Sequence, residues 1–198
     1  MSLDPIIIAY EDALSGAILK RVLSEYAPNI IIRLELSRGG FGYLKTNAPK
    51  WNRAARNIPV LLLTDLDQKT CPASLINEWV GEPKHPHFLF RVAVREVEAW
   101  LLADRENFAA YLNISKDKVP LNPESNQDPK ALLLRLVAKS RKRRLKLDLL
   151  PVEGGTARQG PNYNEGLIRY VTDHWDVSQA AKNATSLERM IRRLERFP

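Results

Sequence analysis

The segment VLLLTDLDQ, residues 60–68, decides the fold of this chain. It opens with four apolar residues and Thr64, and two aspartates, Asp65 and Asp67, follow one residue apart. An apolar run of this length is typical of a strand that is covered on both faces, as in a parallel sheet. We therefore predict a buried strand over residues 59–64, with two carboxylates directly after it.

Three further segments have strand character, because they are short, apolar and rich in β-branched or aromatic residues. They are PIIIA (5–9), IIIRLEL (30–36) and HFLFRVAV (87–94). Helical patterns are predicted between and after the strands, at residues 13–26, 48–57, 71–80 and 95–102, with a glycine-rich loop, SRGGFG, at 37–42. Strands that alternate with helices favour a mostly parallel sheet. The predicted class is α/β, with a four-stranded, mostly parallel sheet flanked by helices.

The remainder of the chain is predicted to be helical, because strand signals stop after residue 103. Helices are predicted at residues 128–150, 162–175 and 185–197. We predict an α/β domain over residues 1–104 and a helical C-terminal region, 105–198, packed on it. Residues 119–128, VPLNPESNQD, are the best linker candidate.

Composition narrows the class of protein. The 198 residues carry a formal net charge of +7, which favours an anionic partner, and nucleic acid is the first candidate. The single cysteine, Cys71, excludes an internal disulfide framework and fits a reducing cytoplasm. No apolar run approaches the roughly 20 residues that span a bilayer, and the first residues, MSLDPIIIAYED, do not form a secretory signal. We predict a cytoplasmic protein with no membrane partner.

Acidic residues follow three of the predicted strands. They are Glu11, Asp12, Asp65, Asp67, Glu96 and Glu98. Ligands of open α/β sheets bind beyond the carboxyl ends of the strands. Residues i and i+2 of an extended segment point to the same side, so Asp65 and Asp67 are predicted to face one ion. Carboxylate oxygens suit Mg²⁺ or Mn²⁺. The alternative is that these side chains stabilise helix N-termini.

Two segments that contain these acidic residues, IIIAYEDALSGAILKRVL (6–23) and VLLLTDLD (60–67), resemble the TOPRIM (topoisomerase–primase) family. Members of that family have a glutamate after the first strand and an Asp-x-Asp after a later strand. VREVEAWLLAD (94–104) and the closing residues 160–194 resemble a family of small, largely uncharacterised TOPRIM-like bacterial proteins. That family is often encoded beside an ATPase and is related to the overcoming-lysogenization-defect nucleases.

The resemblance implies a TOPRIM or Rossmann-like fold and a Mg²⁺-dependent nuclease that hydrolyses phosphodiesters of DNA or RNA, in phage defence with a partner ATPase. It places Glu11, Asp65 and Asp67 as catalytic residues and metal ligands, and Glu96 or Glu98 would complete the metal site. The catalytic lysine of the related nucleases has no position in the matching motifs. Two alternatives stay open: a non-catalytic subunit that binds nucleic acid or a protein partner and keeps a vestigial metal site, and a small-nucleotide phosphotransfer enzyme.

Basic residues form the predicted contacts with nucleic acid. KSRKRRLK, residues 139–146, places six positive charges in one predicted helix, where they would contact a phosphate backbone or form a solvated helix end. Two arginines of the fourth strand and its end would bind a substrate phosphate or neutralise the carboxylates. GGTARQGPNY (154–163) would close over substrate or link helices. The candidates are Arg91, Arg95, Lys139, Arg141, Lys142, Arg143, Arg144 and Arg158.

Overall fold

The computed structural model describes residues 4–197, which contain four β-strands and ten α-helices. By their internal contacts these residues form two compact units, 4–94 with 189–197, and 95–188. The last helix, α10 (Thr185–Glu195), begins in the second unit and ends in the first. No helix in the described range is long and apolar enough to cross a membrane.

The first unit contains a sheet of four strands in which every paired neighbour is parallel. The strands are β1 (Asp4–Ala9), β2 (Ile30–Leu36), β3 (Val60–Asp65) and β4 (Phe88–Ala93), in the spatial order β2-β1-β3-β4. Helices α1 (Ala13–Tyr26), α2 (Gly40–Ala54) and α3 (Pro72–Val80) connect successive strands. The predicted α/β class, with a four-stranded parallel sheet flanked by helices, is confirmed.

The central strand β3 is buried over its first five residues because both sheet faces are covered. On one face, Val60 and Leu62 belong to a core cluster with side chains of α2, α3 and β4 that includes Trp51 and Trp79. Leu61 and Leu63 alternate with them and are also buried, and α1, which buries Ile18 and Val22, contacts β3. Each large apolar side chain so buried contributes about 1.5–3 kcal/mol.

The second unit is helical. Its helices are α4 (Glu98–Ala103), α5 (Arg105–Leu112), α6 (Pro129–Ala138), α7 (Arg143–Leu149), α8 (Tyr163–Asp173), α9 (Val177–Asn183) and the start of α10, with short 3-10 helices at Lys116–Lys118 and Pro123–Ser125. Trp100 and Trp175 are fully buried, and the Trp175 Nε1–H donates to the Trp100 carbonyl at 3.3 Å. The buried Asp104 carboxylate accepts from the Tyr170 hydroxyl at 3.1 Å. This unit therefore has its own apolar core and a satisfied buried carboxylate.

Several predicted element boundaries differ from the structure. The helix predicted over residues 128–150 is two helices, α6 and α7, separated at residues 139–142. The predicted glycine-rich loop contains the first turn of α2, which continues through Pro49 to Ala54. Helices α5 and α9 were not predicted. The contact-based division falls after residue 94, whereas the domain boundary predicted after residue 104 stays a prediction.

Candidate functional site

Glu11 and Asp65 lie at the carboxyl edge of the sheet in the first unit. Strands β1 and β3 are paired neighbours that run parallel, with Ala9 opposite Leu62. Asp65 is the last residue of β3, and Glu11 follows β1 by two residues. One carboxylate oxygen of Glu11, Oε2, is buried. The two carboxylates therefore leave the sheet at the edge where parallel α/β sheets bind ligands.

Glu11 also lies beside the start of α2. A Cβ atom built on Gly40 would be 3.9 Å from Glu11 Cγ and 4.0 Å from its Oε1. The helix is preceded by Gly39, which adopts a left-handed conformation at φ 77° and makes no side-chain cap. The N-terminus of a helix favours negative charge through its dipole. Glu11 therefore lies at a helix end that favours negative charge.

Asp67 does not follow the geometry that was predicted for it. The strand ends at Asp65, and Asp67 has a left-handed φ of 50° in a turn that is closed by the Lys69 N–H donating to the Leu66 carbonyl at 3.0 Å. The prediction that Asp65 and Asp67 point to the same side assumed an extended backbone through both residues. That assumption was wrong, because the backbone turns at Asp67. Asp67 does not cap the next helix either, because Cys71 is the N-cap of α3. Desolvation raises the pKa of Asp67.

The donor chemistry of this edge fits a hard divalent cation. Glu11, Asp65 and Asp67 supply carboxylate oxygens, and the neighbouring Thr64 has a buried hydroxyl that finds no hydrogen-bond partner within residues 4–197. Residues 4–197 as a whole contain no group of three or more histidine, cysteine or acidic side chains arranged to hold a metal. Mg²⁺ is commonly bound by one or two carboxylates together with water and substrate phosphates. Two carboxylates at this edge fit that kind of coordination, and their role as ligands stays a prediction.

Glu96 lies in the second unit, where it is bound to the N-terminus of α6. Its Oε2 accepts from the Lys130 backbone N–H at 2.8 Å, while Asp128 caps the same helix through the Ala131 N–H at 2.7 Å. In the first unit, Asp12 caps α1 in the same way, accepting from the Ser15 N–H at 2.8 Å. Glu96 and Asp12 thus have the capping role that the sequence left open, and Glu96 caps a helix distant in sequence.

Glu98 is a buried carboxylate of the second unit, with 5% of its surface exposed. Its Oε1 accepts from the Tyr163 hydroxyl at 2.8 Å, and Lys130 Nζ lies 4.7 Å from the centre of the Tyr163 ring. The sequence did not identify Tyr163 or Lys130 as neighbours of the two glutamates. The only available signal was the Asp-Pro start of α6, which predicts a helix N-terminus but not its acidic partner.

Burial makes Glu96 a pH-sensitive group. Its pKa is raised to about 7, mainly by desolvation and also by the charges of Glu98 and Asp128, while the bond from the Lys130 N–H acts in the opposite direction. Because the folded-state pKa is above the unfolded value of about 4.3, the folded state binds the proton more tightly, and stability falls as pH rises from about 4.5 to 7. At 1.36 kcal/mol per pKa unit, and discounted for partial exposure, the loss is about 1–2 kcal/mol.

Glu96→Gln is expected to remove this loss, since glutamine keeps an acceptor for Lys130 and has no charge. Urea unfolding at pH 5 and pH 8 should show wild type losing about 1–2 kcal/mol more than the variant. The exposed Glu153→Gln is the matched control and should behave as wild type. Equal losses in wild type and Glu96→Gln would show that the carboxyl does not titrate in this range.

The predicted nucleic-acid contacts are divided between the two units. Arg91 lies on β4 in the first unit, and the others lie in the second. The basic run, Lys139 to Arg144, begins after the end of α6 and continues into the first turn of α7. The prediction of one continuous charged helix was therefore wrong. Lys142 Nζ lies 5.5 Å from the centre of the Tyr111 ring. The run thus forms a basic turn beside an aromatic side chain, and Arg158 lies apart from it in the exposed segment before α8.

Comparison with known proteins gives a family match. A family model described as "Domain of unknown function (DUF4276)" matches residues 11–195. Among solved structures, the C-terminal region of the Burkholderia pseudomallei OLD protein aligns with a TM-score of 0.49 and 14% sequence identity, over 96% of this chain and 97% of that chain. No curated protein matches the chain. The family match includes Glu11, Asp65, Asp67, Glu96 and Glu98.

Proposed function

Since the chain belongs to the DUF4276 family, whose description names no activity, we propose a function from its own residues. We propose that it is a Mg²⁺- or Mn²⁺-dependent phosphodiester hydrolase that acts on DNA or RNA. The observation that carries this proposal is the exit of Glu11 and Asp65 from two paired parallel strands at the carboxyl edge of the sheet. The resemblance of the same residues to the TOPRIM motifs supports it.

The carboxylates would hold the cation at this edge. Glu11, Asp65 and Asp67 are the proposed ligands. A bound Mg²⁺ would polarise the phosphoryl oxygens and lower the pKa of a coordinated water. The phosphodiester is negatively charged and presents oxygen ligands. A hard cation bound by the carboxylates would therefore also bind the phosphodiester at this end of the sheet.

Hydrolysis requires one proton acceptor among these side chains. The water oxygen forms a bond to phosphorus, the bond from phosphorus to the leaving oxygen breaks, and the water proton passes to a carboxylate while the leaving oxygen is protonated from solvent. We assign the acceptor role to Glu11. It lies beside the N-terminus of α2, where the helix dipole favours negative charge.

The basic turn at residues 139–144 would bind the strand of nucleic acid. Cations that neutralise phosphates release condensed counterions, so binding through this turn is expected to weaken with salt. Replacing Arg141, Lys142, Arg143 and Arg144 by glutamine should lower affinity for a labelled oligonucleotide and reduce the slope of log affinity against log salt by about 0.7–0.9 for each phosphate that is no longer neutralised. Fluorescence anisotropy over a salt series measures both, and unchanged affinity and slope would assign the run to a solvated helix end.

A cleavage assay of the purified chain tests the proposal. Labelled single- and double-stranded DNA and RNA are incubated with Mg²⁺, with Mn²⁺ and with EDTA, and mononucleotides are tested in parallel. We expect cleavage of a polymer that EDTA abolishes. Product from mononucleotides alone would point instead to a small-nucleotide phosphotransfer enzyme. No product under any condition would contradict hydrolysis by the isolated chain.

A second candidate function is a non-catalytic subunit that binds nucleic acid or a protein partner. The observation that favours it is the capping role of Asp12 and Glu96, which shows that acidic residues after strands serve helix ends in this protein. Oligonucleotide binding without metal-dependent cleavage is the result expected of such a subunit. Cooperation with a partner ATPase in phage defence is proposed from the family resemblance, and a cleavage assay with and without the ATPase tests it.

A further inference from the structure

Three positively charged side chains meet at the β4 edge of the sheet, all within the first unit. Arg91 lies on β4, which is an edge strand, and Lys84 lies in the segment before it. Arg193 comes from the last turn of α10. We call Lys84, Arg91 and Arg193 the β4-edge cluster. It is separate from the basic turn at residues 139–144.

Arg91 is an unusual residue for its strand. Its neighbours Phe90 and Val92 belong to the core cluster, so by alternation Arg91 points to the opposite face of the sheet. Its Nε–H is buried and finds no hydrogen-bond partner within residues 4–197. A buried donor without a partner has lost its bond to water without a replacement, so an acceptor is expected at this position.

Backbone carbonyls hold the other two cations in place. Lys84 Nζ donates to the Phe88 carbonyl at 3.0 Å, and Arg193 Nη2 donates to the Pro86 carbonyl at 2.8 Å. The Arg193 guanidinium also lies 5.4 Å from the centre of the Phe197 ring. These contacts use one donor each, and both groups carry further N–H donors. The cluster is therefore positioned by the fold while most of its donors stay available.

No carboxylate compensates the cluster in the part of the chain that the structure describes. Every ion pair there involves other residues. Desolvation, and to a lesser extent the charge of Arg193, together lower the pKa of Arg91 to about 10. The pKa of Lys84 is also lowered, by desolvation and then by Arg91 and Arg193. The positive charges of the three groups therefore repel one another.

We propose that the β4-edge cluster is a binding site for a phosphate group. The guanidinium of an arginine presents paired donors that match two phosphate oxygens, and a lysine adds a compact charge. A dianionic or monoanionic oxyanion would supply the missing acceptor for Arg91 and cancel the repulsion. The phosphate belongs either to a nucleic-acid strand, in which case the inference rests on the proposed function, or to a free phosphate or nucleotide.

The competing explanation is a structural role for Arg91, in which it stabilises the sheet edge without a ligand. The two explanations differ in their predictions for Arg91→Gln. A ligand site predicts that the variant is at least as stable as wild type in phosphate-free buffer, because one repelling, desolvated charge is gone. A structural role predicts a less stable variant whose response to phosphate equals that of wild type.

The test compares thermal unfolding of the full chain in chloride and in phosphate at equal ionic strength, in the presence of EDTA. We expect phosphate to raise the Tm of wild type by a few degrees, as a ligand that binds only the folded state does. Arg91→Gln and the double variant Lys84→Gln/Arg193→Gln should lose this rise. The control Arg33→Gln/Lys50→Gln removes two exposed charges elsewhere in the same unit and should keep it.

Oligonucleotide binding in EDTA identifies the source of the phosphate. An affinity loss of about tenfold or more in the cluster variants, but not in the control, assigns the site to a nucleic-acid strand. Loss of the phosphate response with unchanged oligonucleotide affinity assigns it to free phosphate or a nucleotide. If both cluster variants retain the full response to phosphate and to oligonucleotide, the inference is overturned. Because no metal is present, a failure of the proposed hydrolysis would leave this result unaffected.

Discussion

Replacing Asp65 and Asp67 together by asparagine is expected to lower the rate of metal-dependent cleavage on the order of 10³-fold. A catalytic cation contributes several kcal/mol of transition-state stabilisation, and each 1.36 kcal/mol corresponds to a tenfold change in rate. Asparagine is the suitable replacement, because it removes the charge, keeps the shape and tolerates the left-handed φ of 50° at position 67. Alanine at that position would add backbone strain that has no connection with the metal.

Two controls separate a catalytic effect from a folding effect. Asp117→Asn/Asp173→Asn removes two exposed carboxylates elsewhere and should keep wild-type activity. Thermal unfolding of both double variants should match wild type within a few degrees. Calorimetry with Mn²⁺ should show binding by wild type and the control, and weaker binding by Asp65→Asn/Asp67→Asn. A variant without these two carboxylates that cleaves at the wild-type rate would place the catalytic site elsewhere.

Gly160→Ala is expected to destabilise the second unit by about 3 kcal/mol. A Cβ atom at this buried position would lie 2.3 Å from the Asp148 carbonyl oxygen and 2.7 Å from that of Leu150. These are backbone atoms at the end of α7, so a side-chain rotation cannot relieve the clash. The Gly160 N–H also donates to the Leu149 carbonyl at 2.9 Å, and separating the two segments would break this bond.

Urea unfolding monitored by tryptophan fluorescence measures the effect. The matched control is Gly42→Ala, because a Cβ atom there has no neighbour within 4 Å and the residue lies in α2. Alanine in a helix is more stable than glycine by up to about 1 kcal/mol, so the control should equal or exceed wild type. A Gly160→Ala variant as stable as wild type would mean that the backbone at residues 148–150 has room for a Cβ atom at position 160.

Local pattern was sufficient for the strands and for the class of fold. The residues of α1 and β2 were predicted with the bounds that the structure has, and the other strands within one residue, because apolar runs between polar segments are buried in a parallel sheet. The same pattern placed Glu11 and Asp65 at strand ends. Those features depend on sequence neighbours and on the two-residue repeat of a strand, so they are readable without tertiary information.

The break between α6 and α7 depends on a residue distant in sequence. The buried Ser140 hydroxyl donates to the Leu112 carbonyl at the end of α5, and its oxygen accepts from the Lys142 N–H at 3.1 Å. At this point the two Ser140 bonds take the place of the backbone hydrogen bonds that would continue the helix. Four positively charged residues, 141–144, follow directly. The opposite error occurred in α2, which was predicted to begin at residue 48 but begins at Gly40. The helix runs through Pro49, and Leu44 and Trp51 on either side of it both pack in the core cluster.

The sequence by itself determined a parallel α/β sheet with acidic residues after its strands, because burial of apolar runs and the polarity of strand ends are local properties. The tertiary structure alone decided that Glu96 caps α6 and that Arg193 lies beside Arg91. The Glu96 bond joins positions 34 residues apart, and the bond from Arg193 to the Pro86 carbonyl joins positions 107 residues apart. No local pattern encodes which backbone N–H group or which charge a side chain will meet.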